Sequence, residues 1–101
     1  MKREDFVKKV DEKVKLLRNE KGFTQDKMAE ILGMSKKTLV QVEKERASLG
    51  WATAVAVCTI FRDSEILQLT FGGNPDEIIL SLAFEQYEEK YDRTMGGRLW
   101  W

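Results

Sequence analysis

The stretch 24–35 constrains the fold of this chain more than any other, because it holds two helix starts and one helix stop. Thr24 and Ser35 are residues that cap helix N-termini, and Gly33 is the residue that most often ends a helix. Between Thr24 and Gly33 the apolar residues recur at helical spacing. They are Met28, Ala29, Ile31 and Leu32. The stretch therefore predicts two short helices joined by the three-residue turn Gly33-Met34-Ser35.

The second of these helices opens with two lysines, Lys36 and Lys37, directly behind its cap. The helix dipole disfavours cations in a first turn by roughly 0.3–1 kcal/mol each when they are exposed. Two solvated surface lysines are one interpretation. A polyanionic partner that offsets the cost is the other interpretation.

Charge is divided unevenly along a chain whose net charge is zero. Residues 1–46 contain 13 of the 17 basic residues and nine of the 17 acidic ones, a net charge of +4, and residues 47–101 carry −4. Such asymmetry indicates a basic face for a polyanion and an acidic remainder, with chance clustering as the alternative.

Composition argues against most catalytic chemistry. The chain has no histidine and one cysteine, Cys58, so the common zinc sets and the Ser-His or Cys-His pairs cannot be assembled within it. The acidic residues lie in helical charge patterns typical of solvated faces. We therefore expect no enzyme, no metal and no cofactor, and we expect Cys58 to be a small buried hydrophobe.

No segment predicts a membrane anchor. The N-terminus MKREDFVKK is charged and has no apolar core, and the longest apolar run, 52–61, is half the length needed to span a bilayer. We expect a cytoplasmic protein without membrane contact.

The remaining segments also have helical patterns, and no segment alternates as a strand does. We predict a first helix over 3–21 that Gly22 ends, a fourth over 49–61 capped by Ser48, and a fifth over 65–71. Asn74, Pro75 and Glu77 predict the start of a sixth helix that extends to about Tyr91.

With these spacings, residues 14–61 resemble the Cro/phage-repressor helix-turn-helix family. The resemblance rests on 16-LLRNEKGFTQDKMAEILGMSKKTLVQVEK-44, in which Gln25 opens a helix, Ala29 lies at the close helix crossing and Gly33 lies in the turn. It implies an all-α, phage-repressor-like five-helix domain over residues 1–71. Residues 72–101 would add a C-terminal helix and an aromatic tail, as a dimerisation or core-covering extension. The stretch 44-KERASLGW-51 departs from the glycine and proline that the family often has there.

The resemblance also implies roles for individual residues. In this motif the second helix, here 36–45, enters the major groove of double-stranded DNA. The implied base-reading residues are Lys36, Lys37 and Gln41, and the implied phosphate contacts are Gln25, Thr38 and Lys44. Arg18 and Glu43 occupy the places of a structural ion pair in the family. A direct phosphate contact by Arg18 is the alternative.

The implied function is a sequence-specific DNA-binding transcriptional regulator, a repressor, that acts as a homodimer. We expect the dimer contact in the C-terminal extension, whose aromatic and apolar residues would otherwise be exposed. They are Tyr87, Tyr91, Leu99, Trp100 and Trp101. The two tryptophans can instead cover the core of their own chain or line a small-ligand pocket. The competing function is a protein-interaction module, or an antitoxin-like partner, that uses the helix-turn-helix as a scaffold.

Overall fold

A computed structural model describes residues 1–85 of the chain, and all the regular secondary structure in that range is α-helical. The helices are α1 (Arg3–Asp11), α2 (Val14–Lys21), α3 (Gln25–Leu32), α4 (Lys36–Glu43), α5 (Gly50–Ile60), α6 (Glu65–Phe71) and α7 (Asp76–Ala83). The all-α prediction is confirmed for these residues. The number of helices is larger than predicted, for the reason given next.

The predicted first helix, 3–21, is two helices. At the break, Lys13 N donates to Val10 O, three residues back, instead of continuing the α-helical pattern. The break lets α1 pack against α5 while α2 packs against α4 and α6. Asp11 Oδ1 fixes this arrangement by accepting a hydrogen bond from Leu49 N at 2.9 Å. The apolar spacing runs through the break unchanged, which is why the sequence pattern did not predict it.

Glycines and hydroxyl caps set the boundaries between α2, α3 and α4, as predicted, whereas α5 (Gly50–Ile60) has Leu49 as its N-cap in place of the predicted Ser48. Gly22 and Gly33 end α2 and α3 in the left-handed conformation, with φ of 71° and 70°. Thr24 Oγ1 accepts from Lys27 N, and Ser35 Oγ accepts from Thr38 N, each at 3.1 Å. Each of these bonds satisfies one backbone donor that a helix N-terminus leaves open.

The core includes the contact between α1 and α5, which is the most extensive contact between two helices. Phe6 is completely buried and stacks on Phe71 with ring centroids 5.0 Å apart, while Trp51 meets it edge-on at 5.7 Å. The other buried apolar side chains are Val7, Val10, Val14, Leu17, Met28, Ala29, Leu39, Val42, Leu49, Ala54, Val57, Cys58, Phe61, Leu67 and Leu82. Cys58 is buried, as predicted, and its burial raises the pKa of the thiol to about 12, with the charge of Asp76 adding to the effect.

One buried hydroxyl joins α2 to α6. Ser64 is 1% exposed, caps α6 by accepting from Ile66 N, and donates to Glu20 Oε1 at 2.6 Å. A polar side chain buried to this degree needs such partners.

The predicted helix 36–45 ends two residues early. Lys44 adopts the C-cap conformation, Glu45 N donates to Val42 O, and Arg46 N donates to Gln41 O. This pair of bonds is the Schellman motif, which needs a left-handed residue after the cap. Here that residue is Glu45, with φ of 59°. The departure from the family pattern therefore keeps the backbone turn that glycine usually makes.

The predicted helix from Pro75 to about Tyr91 is also shorter, since α7 ends at Ala83. Its start agrees within one residue, because Asn74 Oδ1 accepts from Asp76 N at 3.0 Å. Arg3 holds the other end: its Nε donates to Leu82 O and its Nη2 to Ala83 O. The predicted interface residues Tyr87, Tyr91, Leu99, Trp100 and Trp101 lie outside the described residues.

Candidate nucleic-acid interface

The α3–turn–α4 unit is held rigidly by local contacts. Ala29 is 3% exposed, as expected of a small side chain at a close helix crossing. Met34 N donates to Ala29 O at 3.0 Å, which fixes the turn after Gly33. Ser35 Oγ also donates to Thr38 Oγ1 at 2.9 Å, so the first turn of α4 is tied to its cap twice. The orientation of α4 relative to α3 is thus determined by backbone geometry.

The side chains of α4 divide between a core face and an outer face. Leu39 and Val42 are completely buried. At 100° per residue, the direction opposite to them is taken by residues 37, 40, 41 and 44, whereas residue 36 lies at the edge of that outer face, about 60° from Leu39. Lys37 and Lys44 are exposed on the outer face, Lys36 is exposed at its edge, and Gln41 is half-buried there. Of the three implied base-reading residues, the structure therefore places Lys37 and Gln41 together on one outward surface, with Lys36 at its edge.

Three helices meet at the carboxylate of Glu43. Arg18 Nε donates to Oε2 at 2.7 Å, and Arg18 Nη2 donates to Oε1 at 3.0 Å. Gln25 Nε2 donates to Oε1 at 3.1 Å, and Arg18 Nη1 donates to Phe23 O at 3.0 Å. All three guanidinium nitrogens thus have acceptors within the protein. The arrangement disfavours the alternative in which Arg18 contacts a phosphate.

The electrostatics of this junction favour the charged pair. Burial by itself raises the pKa of Glu43, but the hydrogen bonds from Arg18 and Gln25, with the charges of Arg18 and Lys15, outweigh it and leave that pKa below its usual value. The hydrogen bond to Glu43 raises the pKa of Arg18. The side chain of Glu43 is 3% exposed and that of Arg18 is 13% exposed. The ion pair is therefore charged and largely desolvated, and it links α2 to the end of α4.

A cleft of about 510 Å³ opens beside this junction. Its walls come from α2, the start of α3 and the outer face of α4. The lining residues are Lys15, Arg18, Thr24, Gln25, Asp26, Lys36, Val40, Glu43 and Lys44. Four of them are cationic and two are acidic, so the cleft has a net charge of +2.

Three of the implied DNA contacts already have partners within the protein, and one of them is Thr38, whose Oγ1 accepts from Ser35 Oγ. Gln25 uses one amide N–H for Glu43, which leaves its second N–H for a ligand. Lys36 Nζ lies 3.5 Å from Asp26 Oδ2, and both side chains are largely exposed. Such a surface pair is weak. Lys36 can therefore exchange this partner for a base edge or a phosphate.

Four residues of this surface were not among the site residues implied by the motif, and one of them is the helix cap Thr24. Lys15 and Asp26 line the cleft, and Val40 is a half-buried apolar side chain between Lys36 and Lys44 on the outer face. The helical period alone identifies Val40, because it lies four residues from each of those lysines. Nothing in the sequence near Lys15 indicates which neighbour its face of α2 meets.

Within residues 1–85, no group of three or more His, Cys, Asp or Glu side chains is arranged to hold a metal ion. None of the helices up to α7 is long and apolar enough to cross a membrane.

Comparison with known proteins gives one match. A helix-turn-helix family model matches residues 14–62, which run from the first residue of α2 to just past α5. Neither the curated proteins nor the solved structures compared with the chain include a significant match.

Proposed function

Residues 14–62 belong to the Cro and phage-repressor type of helix-turn-helix family, and from that premise we propose that the protein is a sequence-specific transcriptional repressor that binds double-stranded DNA as a homodimer. The family consists of DNA-binding regulators. The observation that carries the proposal is the outer face of α4, where Lys37 and Gln41 project together and Lys36 is exposed at the edge of the same face, on a helix capped at both ends.

We assign base reading to these three side chains. Lysine donates to guanine O6 and N7, and glutamine can bind adenine N6 and N7 with both ends of its amide. A short helix enters the major groove with its N-terminal turn first. Lys36 and Lys37 occupy that turn, so phosphates and guanine edges would offset their unfavourable position on the helix dipole.

We assign the phosphate contacts to Gln25, Thr38 and Lys44. Gln25 offers its free amide N–H beside the N-terminus of α3, where open backbone donors also favour an anion. The hydroxyl group of Thr38 can still donate a hydrogen bond to a phosphate, because in its bond with Ser35 the Thr38 oxygen is the acceptor. Such contacts fix the register of a protein on DNA without reading the sequence.

A repressor needs only to occupy its site, and a single short helix contacts few base pairs. We therefore propose a homodimer on half-sites about one helical turn apart, roughly 34–36 Å. The extension 72–101 is the proposed contact, through Tyr87, Tyr91, Leu99, Trp100 and Trp101. Leu80, which is 48% exposed on α7, is consistent with an apolar surface beginning in that extension. Light scattering tests this: loss of residues 92–101 should halve the mass in solution.

A second candidate is a protein-interaction or antitoxin-like role, in a cytoplasmic setting that both candidates share. The observation that favours it is the groove between α2 and α6, where Leu69 is 83% exposed and Leu16 is 49% exposed. Apolar side chains grouped in this way are typical of binding surfaces. If this second candidate is right, the groove would bind a protein, and DNA binding would be absent or secondary.

One experiment separates the two candidates. Selection from a random DNA library should yield a consensus for the wild type and none for Lys36→Ala/Lys37→Ala. The matched control is Lys8→Ala/Lys9→Ala, which removes two adjacent exposed lysines from α1. A wild type that selects no sequence and whose DNA binding does not weaken with salt would exclude the repressor.

A further inference from the structure

Lys15 lies on the same face of α2 as Arg18, one helical turn earlier, and both line the cleft beside α4. Arg18 is committed to Glu43 and to Phe23 O. Lys15 is exposed, and its charge reaches the carboxylate of Glu43. Lys15 is therefore the cation through which α2 can act on something outside the protein.

Two positive charges in the cleft are not balanced by an acidic neighbour within it. Glu43 accepts two hydrogen bonds from Arg18, so those two charges cancel within the protein. Asp26 lies near Lys36 at 3.5 Å, which balances a second pair. The remaining cations are Lys15 on the α2 wall and Lys44 at the end of α4.

Gln25 lies in the same cleft and has a fixed orientation. A carboxylate has no proton to donate, so the amide nitrogen of Gln25 must face Glu43. Nε2 makes that bond with one hydrogen and keeps the other. The cleft thus combines two ammonium groups with one oriented N–H donor, which is a donor set suited to an oxyanion with several oxygens.

We propose that Lys15 binds a backbone phosphate of DNA in this cleft, together with Lys44 and Gln25. The inference rests on the proposed function, and it extends the DNA contact to α2, outside the α3–α4 unit. The outer face of α4 supplies Lys36, Val40 and Lys44 to the cleft wall, so the cleft opens onto the surface that meets DNA. A phosphate adjoining a base-reading contact would enter it when α4 lies in the groove.

The role of Lys15 differs measurably from that of a base-reading residue. Loss of a phosphate contact weakens binding to all sequences equally and removes about 0.9 from the slope of log affinity against log salt concentration. Loss of a base contact changes the selected sequence instead. Loss of a solvated lysine that makes no contact changes neither the salt slope nor the selected sequence.

The test measures the affinity of the full-length chain for its selected duplex and for a randomised duplex, across a series of salt concentrations. We expect Lys15→Ala to lower the slope by about 0.9 and to weaken both duplexes by the same factor, with an unchanged consensus. Lys15→Arg should restore the slope, because it keeps the charge. The control is Lys9→Ala, an equal loss of charge on α1 outside the cleft, which should leave the slope within about 0.3 of the wild type. Circular dichroism checks that each variant is folded.

The outcomes that overturn the inference are distinct from those that overturn the proposed function. If the wild type binds its duplex and Lys15→Ala keeps the full slope, the Lys15 contact is wrong and the repressor stands. If Lys15→Ala loses affinity for inorganic phosphate but not for DNA, the cleft binds the free ion, and the inference is also wrong. If the wild type does not bind DNA at all, both proposals fail together.

Discussion

Arg18 and Glu43 are 25 residues apart in the sequence and form a two-pronged ion pair, with Nε 2.7 Å from Oε2 and Nη2 3.0 Å from Oε1. The pair fastens α2 to the last residue of α4. The helix proposed to enter the major groove is therefore anchored at its far end by charge and at its near end by the cap of Ser35. This two-ended attachment makes the position of α4 sensitive to either partner of the pair.

Removal of Arg18 should cost much more stability than removal of an exposed arginine. Arg18→Met leaves the Glu43 carboxylate desolvated with Gln25 as its remaining partner, and such losses cost about 3–5 kcal/mol in the free energy of unfolding. The control is Arg62→Met, which breaks the exposed pair with Asp76 and should cost less than about 1 kcal/mol. Urea unfolding measures both values. Equal costs would mean that the Arg18–Glu43 pair is no stronger than a surface contact.

Lowering the pH should weaken the same Arg18–Glu43 ion pair. The pKa of Glu43 in the folded protein lies below the ordinary 4.5, so its ionised form stabilises the fold above that value. The contribution falls as the pH drops from 4.5 through the folded pKa and is absent below it. We therefore expect the difference in unfolding free energy between wild type and Glu43→Gln to narrow over that window. Urea unfolding over a pH series measures it, and a difference that stays constant or widens would contradict the pair's role.

Glu45 occupies a backbone conformation suited to glycine, so Glu45→Gly should stabilise the protein. A left-handed conformation costs an ordinary residue about 1–2 kcal/mol, partly offset by the extra entropy of glycine in the unfolded chain. The expected net gain is about 0.5–1 kcal/mol. The matched control is Glu12→Gly, at φ of −68° between α1 and α2, which should destabilise the protein. Thermal unfolding of the two variants tests the contrast, and a shift in the same direction for both would exclude strain at Glu45.

Some of the helix boundaries were predictable from the sequence and others were not. Gly22, Gly33 and Ser35 set their helix boundaries through local backbone geometry, which a single sequence expresses directly. The break at residues 12–13 has no glycine, proline or cap, since it arises from α1 and α2 packing against different helices. The early end of α7 at Ala83 is likewise absent from the periodic pattern.

The candidate site divides in the same way. The helical period of α4 separates Leu39 and Val42 from Lys37 and Gln41, and the structure arranges these four residues accordingly. The cleft was not predictable, because it depends on which face of α2 approaches α4. In the sequence, Lys15 and Asp26 look like any other charged residues of a helix, because their neighbours in the cleft come from other helices.

Asp26 should weaken DNA binding that does not depend on sequence. Its carboxylate lies in the proposed phosphate cleft and holds Lys36 at 3.5 Å, so it opposes phosphates and competes for the lysine. Asp26→Asn should strengthen binding to a randomised duplex by up to about fivefold at low salt, the equivalent of about 1 kcal/mol. It should also cost about 0.5 kcal/mol of stability, because Asp26 lies in the first turn of α3.

The control for that experiment is Glu30→Gln, an exposed acid of α3 that does not line the cleft. Fluorescence anisotropy with labelled duplexes gives both affinities. If the two substitutions strengthen binding equally, the effect comes from overall charge, and Asp26 has no special position.

Val40 should influence which base pair is chosen. Its side chain lies on the outer face of α4 between the two flanking lysines, and an apolar side chain there can contact the methyl group of thymine. Val40→Ala removes two methyl groups, and the loss of one of them from the contact with thymine, at about 0.8 kcal/mol, corresponds to about a fourfold loss of preference at one position per half-site. Sequencing of duplexes selected by each variant measures the preference. Val55→Ala, the same substitution at a half-buried position of α5, should leave every position unchanged. A Val40→Ala consensus identical to that of the wild type would remove Val40 from the reading surface and leave its function to the packing of α4.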